Sequence, residues 1–245
     1  MEGIDMAEIR YPNRAGTRTA ADIDQGLRSY MMGVYNYMAL GVALTAIVVM
    51  AVASNPAALA AVHSMKWILF IAVLGLGFFA PRLIFSGNTA VAHVAYWGYA
   101  ALWGLMIAPM VGSYLRVAPN LVTQAFLITS VTFGAASLAG YVTKRNLSGM
   151  AGFFFMASIG IIVAGLVNVF FLQSGMFSLI TSIVTVLLFS AVTAYETQMI
   201  KEMYYEGDAS GVVKSKSIFG AFALYGSFVT LFVNILSILG FASRD

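Results

Sequence analysis

The sequence predicts an all-α fold, a polytopic membrane protein built as a bundle of seven transmembrane helices. Three observations carry this prediction. Of the 245 residues, 60% are hydrophobic and only 9% are charged, whereas a soluble domain carries about 25% charged residues. The apolar residues form seven long runs, and a pattern of that kind is typical of helices rather than strands. Each run is near the roughly 20 residues that a helix needs to cross a bilayer.

Charged and turn-forming residues separate the apolar runs. The predicted spans are residues 30–54, 66–85, 89–112, 120–142, 149–172, 176–200 and 217–241. The first span ends at Asn55-Pro56, because the residue before a proline disfavours the helical conformation. The second ends near Pro81 and Arg82.

The later spans are bounded by clearer polar segments. Pro119 precedes the fourth span, and the polar loop TKRNLSG follows it. Residues 201–216 form a second polar stretch, between the last two spans. We expect two regions: a polar N-terminal tail, residues 1–28, and a transmembrane domain, residues 29–245. The tail lacks the basic start and apolar core of a secretory signal, so we expect it to stay uncleaved.

The distribution of basic residues predicts the orientation. Ten Lys and Arg residues fall in the tail and in alternate connections: Arg10, Arg14, Arg18, Arg28, Arg82, Lys144, Arg145, Lys201, Lys214 and Lys216. The other side holds Lys66, Arg116 and Arg244. Because basic residues concentrate on the cytoplasmic side, we expect a cytoplasmic N-terminus and, after seven spans, an outside C-terminus.

Glu196 is the acidic residue that falls inside an apolar run. An ionisable group at membrane depth is expensive to leave unpaired and often marks a functional site. The alternative is structural. Glu196 precedes Lys201 by about 7 Å of helix rise, so its side chain could simply reach water at the interface.

Polar residues form one stripe on each of the last two spans. At about 100° per residue, each stripe falls within an arc of about 80°. The stripes consist of Ser182, Thr185, Thr193 and Glu196 on the sixth span, and Ser227, Thr230, Asn234 and Ser237 on the seventh. Facing stripes could line an ion pathway, or their hydrogen bonds could merely hold the bundle together.

Arg82 is the predicted partner of Glu196, because both lie near the cytoplasmic ends of their spans. If they pair, the arginine and desolvation act on the carboxyl in opposite directions, and Glu196 could gate with proton uptake. The alternative is that Arg82 is an ordinary cytoplasmic anchor.

The sequence offers few residues that could carry out catalysis. The chain has no cysteine, and His63 and His93 have no second ligand at a metal-like spacing. No GxSxG segment occurs, and the last span has no lysine for a retinal Schiff base. We therefore expect no enzyme, no metal site, no cofactor and no nucleic-acid partner.

Several segments together resemble the Bax inhibitor family of membrane proteins. They are VYNYMALG, YAALWGLMIAP, TFGAASLAGYVTKRNLSGM, GLVNVFF, LFSAVTAYETQMIK and LYGSFVTLFVNILSILG. The resemblance covers nearly everything after Arg28. It implies a seven-helix fold with a central last helix, a pH-sensitive calcium leak, and a bacterial inner-membrane location.

In several family members a pair of aspartates, one on each of the last two helices, closes the pathway near an arginine of the second helix. The resemblance places Glu196 at the first acid and Arg82 at the arginine. Ser227 stands where the second aspartate is expected, and a hydroxyl cannot share a proton with Glu196 as a second carboxyl would.

Two functions follow as hypotheses. The first is a calcium or cation leak with a gate at Glu196, Arg82, Ser227 and Thr230, in which protons take part. The second is a non-conducting regulator that binds another membrane protein, such as a quality-control protease, through the N-terminal tail. In either case the lipid bilayer is the surrounding partner.

Overall fold

The computed structural model describes the backbone of residues 20–243 and the side chains of residues 25–243. Eight α-helices and no strand occur in this part of the chain. They are α1 (Ala20–Ala53), α2 (Pro56–Ser64), α3 (Lys66–Ile84), α4 (Thr89–Val117), α5 (Pro119–Val142), α6 (Ala151–Val167), α7 (Gly175–Glu202) and α8 (Ser210–Ala242). All except the short α2 belong to segments that are long and apolar enough to span a membrane. The predicted all-α fold with seven spans is confirmed.

Side-chain caps begin several of these helices. The Oδ1 atom of Asn55 accepts hydrogen bonds from the backbone N of Ala57 at 3.0 Å and of Ala58 at 3.2 Å, and Pro56 occupies the first helical position. Together they start α2, a nine-residue helix that the sequence analysis did not predict. Its partly apolar sequence is too short for a span, so hydropathy alone gave no reason to separate it from a loop.

Three helices extend by several residues beyond their predicted bounds. Helix α1 begins at Ala20, α4 continues past Pro109 to Val117, and α8 begins at Ser210. In each case the helix extends into less apolar sequence, because hydropathy marks the part of a helix that lies in hydrocarbon and not where its hydrogen bonding ends. The greater part of the predicted tail, residues 1–28, lies outside the described residues.

The connection between α7 and α8 is therefore shorter than predicted, residues 203–209. Lys216 holds it in place. Its Nζ donates to the carbonyl oxygen of Met203 at 2.8 Å and forms an ion pair with Asp208. A lysine expected in a loop is thus a helical residue that stabilises the loop before it.

A tight turn joins α6 to α7. A π-helical segment, Asn168–Leu172, ends at Gln173, whose φ of 47° is left-handed. The Nδ2 of Asn168 donates to the carbonyl oxygen of Ser174 at 3.2 Å and to the hydroxyl of Ser178 at 3.0 Å. The Asn168 side chain also accepts from the backbone N of Ser174 at 3.0 Å, so it satisfies both backbone groups of the residue that precedes α7.

Helix α8 lies at the centre of the bundle. It packs against α1, α3, α4, α5 and α7 and is the most buried of the seven spans, whereas α6 packs on α7 and is the least buried. The central last helix that the family resemblance implied is therefore present. The position of α8 buries Ser227 and leaves the other residues of its polar stripe half-buried.

Basic residues collect at the end of the bundle where α1 begins, and we call this end the basic face. In the described part of the chain it holds Arg28, Arg82, Lys144, Arg145, Lys201, Lys214 and Lys216. The end where α8 finishes is the opposite face. The prediction that the basic face is cytoplasmic follows from the positive-inside rule and stays a prediction.

Candidate functional site

Glu196 and Ser227 meet across the interface of α7 and α8. The Ser227 hydroxyl donates to Oε2 of Glu196 at 2.7 Å. Ser227 is only 2% exposed, because it projects from the central helix. The predicted acid and the residue at the expected second acidic position are thus direct partners. The hydrogen bond joins the two polar stripes.

Glu196 lies about 9 Å along the helix from the end of α7 at Glu202. It is partly buried, and Tyr99 of α4 is close enough for an electrostatic interaction with it. The side chain therefore faces α4 and α8 rather than the interfacial water beyond Lys201. The purely interfacial alternative does not describe this arrangement.

Arg82 is not brought to Glu196. It lies exposed in the last turn of α3, and over residues 25–243 it forms no ion pair with that carboxyl. The reason is packing: α3 lies against α4 and α8 and not against α7. The predicted pair is absent from this arrangement, and a gating role of Arg82 stays a prediction.

The other stripe residues bond to their own helices. The hydroxyls of Thr185, Thr193, Thr230 and Ser237 and the amide of Asn234 each donate to the carbonyl four residues earlier, at 2.7–2.9 Å. Ser182 is also buried in α7. Cross-helix bonding of the stripes is therefore limited, in the described residues, to Ser227 and Glu196. The alternative that these hydroxyls act as glue between α7 and α8 is weakened.

A cavity of about 220 Å³ opens between α7 and α8 toward the opposite face. Its wall includes Tyr114, Ser178 and Ser237. Ser237 lies ten residues beyond Ser227, which is about 15 Å of helix rise. The polar stripe of α8 thus leads from this cavity toward Glu196.

Two polar groups that the sequence analysis missed lie beside this site. Ser137 of α5 is 3.0 Å from the Thr197 hydroxyl and 2.5 Å from the Tyr35 hydroxyl of α1. Thr197 is the neighbour of Glu196, but it projects about 100° away around the helix. Its polar side chain next to Glu196 was the available signal, although its partners depend on tertiary packing.

Gln198 is a second missed residue. Its Oε1 accepts from the backbone N of Leu147 at 2.7 Å, and its Nε2 donates to the carbonyl oxygen of Arg145 at 2.9 Å. One side chain of α7 therefore holds the loop between α5 and α6. A buried Gln on an apolar helix is the sequence signal for such a contact.

The comparison with protein families agrees with this architecture. The family model described as "Inhibitor of apoptosis-promoting Bax1" matches residues 27–244. The chain belongs to the Bax inhibitor family. The match includes all seven spans and both residues of the Glu196–Ser227 pair.

Relatives of this Bax inhibitor family member occur in several bacteria. It is 40% identical over 220 residues to an uncharacterized protein of Deinococcus radiodurans, covering 88% of this chain and 91% of that one. It is 36% identical over 219 residues to an uncharacterized protein of Rickettsia prowazekii, covering 89% and 91%.

A third relative is named for its location. The inner membrane protein YbhL of Escherichia coli is 35% identical over 220 residues, covering 88% of this chain and 92% of that one. Together with the seven membrane-length helices, this confirms the prediction of a multi-pass protein of the inner membrane.

Proposed function

We propose that this Bax inhibitor family member is a pH-sensitive leak for calcium or a related cation, gated at Glu196. The observation that carries the proposal is the Ser227–Glu196 hydrogen bond at 2.7 Å. It joins the central helix α8 to α7 at the Glu196 carboxylate, which lies within a membrane-length helix. Breaking this one contact frees a negative charge between two polar stripes.

The stripe residues can supply oxygen ligands along such a route. Thr230 and Ser237 each use their hydroxyl hydrogen on a carbonyl of α8, so the lone pairs of their oxygens stay available as acceptors. Asn234 uses its amide nitrogen in the same way and keeps its Oδ1 atom. Hard cations such as Ca²⁺ bind oxygen ligands of these kinds.

The cavity at the opposite face supports an entrance there. Its volume of about 220 Å³ is large enough for a hydrated cation, and Ser237 belongs to its wall. A cation moving inward from Ser237 would pass Asn234 and Thr230 before it reaches the carboxylate of Glu196. In this arrangement the Ser227–Glu196 contact is the closed gate.

The test is calcium flux from liposomes that contain the purified full-length protein, measured between pH 6 and pH 8. We expect flux through the wild type to fall as the pH is lowered, because a protonated Glu196 no longer attracts the cation. The Glu196→Gln variant carries a permanently neutral side chain of the same shape. We expect it to show low flux that does not vary with pH.

Glu202→Gln is the matched control, because Glu202 is an exposed acid on the same helix. Its flux curve should follow that of the wild type. Identical curves for the wild type and Glu196→Gln would overturn the proposal, as would a wild type that carries no flux.

The second hypothesis, binding of another membrane protein through the N-terminal tail, stays a prediction. Most of that tail lies outside the described residues.

A further inference from the structure

A groove runs along the outside of the bundle between α1 and α5, and we call it the α1/α5 seam. Helix α1 packs against α4 and α8, whereas α5 packs against α7 and α8. Along residues 25–142 the two helices pack only loosely on each other, and a hydrogen bond between the hydroxyls of Tyr35 and Ser137 crosses the seam. Exposed apolar side chains on both helices place the seam on the outside of the bundle, where the bilayer surrounds it.

The half of the seam near the basic face contains a cavity of about 430 Å³. Its wall includes Arg28, Met32, Tyr35, Gly134, Leu138 and Tyr141. Met32 is 56% exposed and Leu138 is 63% exposed, so apolar side chains also flank its opening. A lipid chain can therefore enter the cavity between exposed apolar side chains.

Arg28 provides a positive charge at the mouth of this cavity. It is exposed, and within residues 25–243 no acidic side chain pairs with it. Lys201 adds a second cation behind the same wall, since its Nζ donates to the carbonyl oxygen of Tyr141 at 2.9 Å and lies 4.8 Å from the Tyr141 ring. The mouth therefore attracts an anion.

The positions of Arg28 and of the 430 Å³ cavity along α1 fit a single lipid in one leaflet of the bilayer. Arg28 lies near the start of the span Gln25–Ala53, at the level of lipid headgroups. A second cavity of about 350 Å³ begins at Val42 and has no charged residue in its wall. The two levels are about 21 Å apart along α1, more than the roughly 15 Å of one leaflet's hydrocarbon. The positive charge of Arg28 therefore lies within one leaflet of the cavity near the basic face and is too far from the second cavity.

We propose that the α1/α5 seam binds one anionic phospholipid, with its phosphate at Arg28 and an acyl chain in the 430 Å³ cavity. The charge at the mouth selects the anionic headgroup, and the apolar wall holds the chain. Neutral phospholipids bind the same cavity more weakly. This inference does not rest on the proposed ion leak.

The test is native mass spectrometry of the full-length protein, titrated in detergent with phosphatidylglycerol or phosphatidylcholine of the same acyl chains. We expect the wild type to retain phosphatidylglycerol preferentially. Loss of one interfacial charge should lower its affinity about fivefold in Arg28→Gln. Arg145→Gln is the matched control, because Arg145 is an exposed arginine of the same face outside the seam.

A second pair of variants tests the cavity itself. A Cβ atom added at Gly134 or at Gly160 meets nothing within 4 Å, so both positions accept the first atom of a larger side chain, and Gly134→Leu and Gly160→Leu form a matched pair. Only Gly134→Leu fills the seam, and we expect it alone to lower retention of both lipids. Thermal unfolding of each variant checks that the fold is kept.

Three results would overturn the proposal. They are equal retention of the two lipids by the wild type, equal behaviour of Arg28→Gln and Arg145→Gln, and equal retention by the two leucine variants. Displacement of phosphatidylglycerol by glycerol 3-phosphate alone would also overturn it, because it would identify a soluble phosphate compound as the ligand.

Discussion

A carboxyl group inside a helical bundle needs a hydrogen-bond partner, and Ser227 supplies one to Glu196. A hydroxyl differs from a second carboxyl in two ways. It adds no negative charge, and it donates its own hydrogen without needing a shared proton. The contact can therefore form whether Glu196 is charged or neutral.

The first prediction concerns this hydrogen bond. Ser227→Ala should lower the free energy of unfolding by about 1–3 kcal/mol, because it leaves a carboxylate oxygen without its donor. The measurement is unfolding of the purified protein in detergent. The effect should shrink when Glu196 is replaced by Gln in the same chain, since the two side chains are directly coupled.

Ser237→Ala is the control for that measurement. Ser237 donates to the carbonyl oxygen of Val233 in its own helix, and that carbonyl also serves the backbone ladder of α8. We expect only a small effect. If Ser227→Ala were no more damaging than Ser237→Ala, the Glu196 contact would have no role in stability.

Glu196 and Ser227 could be singled out from the sequence, but the choice of Arg82 as a partner of Glu196 could not be made correctly from it. Glu196 and Ser227 stand out because polar residues on apolar helices are rare and follow helical periodicity. Arg82 was predicted as the partner because it lies at a similar membrane depth to Glu196. It fails to meet Glu196 because depth says nothing about which helices are neighbours.

At the scale of elements, the close approach of α5 to α7 depends on a glycine, Gly140, which has no side chain. A Cβ atom added at Gly140 would lie 2.1 Å from the carbonyl oxygen of Ala194. That atom belongs to backbone, which cannot move aside without shifting a helix. Gly140 is therefore the residue that sets the spacing of these two helices.

Gly140→Ala should consequently destabilise the protein by about 1–3 kcal/mol through overpacking. The intrinsic preference for Ala in a helix acts in the opposite direction by about 1 kcal/mol. Gly160→Ala, where the added atom meets nothing within 4 Å, should show only that favourable preference. Thermal unfolding of both variants in detergent compares them, and the same sign of shift in both would contradict this account.

The two glycines differ in their surroundings. Gly140 lies where α5 meets the backbone of α7, whereas Gly160 lies on α6, which in the described part of the chain packs mainly on α7. A small residue permits close approach without requiring it. Close approach also needs a second helix next to the small residue, and the tertiary structure decides whether one is there.

At the scale of the whole molecule, orientation is the property that the positive-inside rule predicts. The chain has no cysteine, so a single introduced cysteine can be labelled selectively. Ser148→Cys lies at the basic face and Ser243→Cys at the opposite face, and both positions are exposed. With an impermeant maleimide, intact spheroplasts should label Ser243→Cys, and Ser148→Cys only after permeabilisation.

The reverse labelling pattern would contradict the predicted orientation. It would also move Arg28 and the α1/α5 seam to the outer leaflet. Labelling at both positions in intact spheroplasts would indicate mixed insertion.

The sequence by itself determined that this protein lies in a membrane, the number of its spans and the polar residues that mark its last two helices. These properties are local, since hydropathy and helical periodicity act within one segment. The family resemblance implied a central α8, but only the tertiary structure decided that Ser227 meets Glu196, that α3 keeps Arg82 away from α7, and that α1 and α5 leave a seam between them. Helix partners in a membrane are chosen by shape and by a few polar contacts between distant segments, and no single segment of the sequence contains that information.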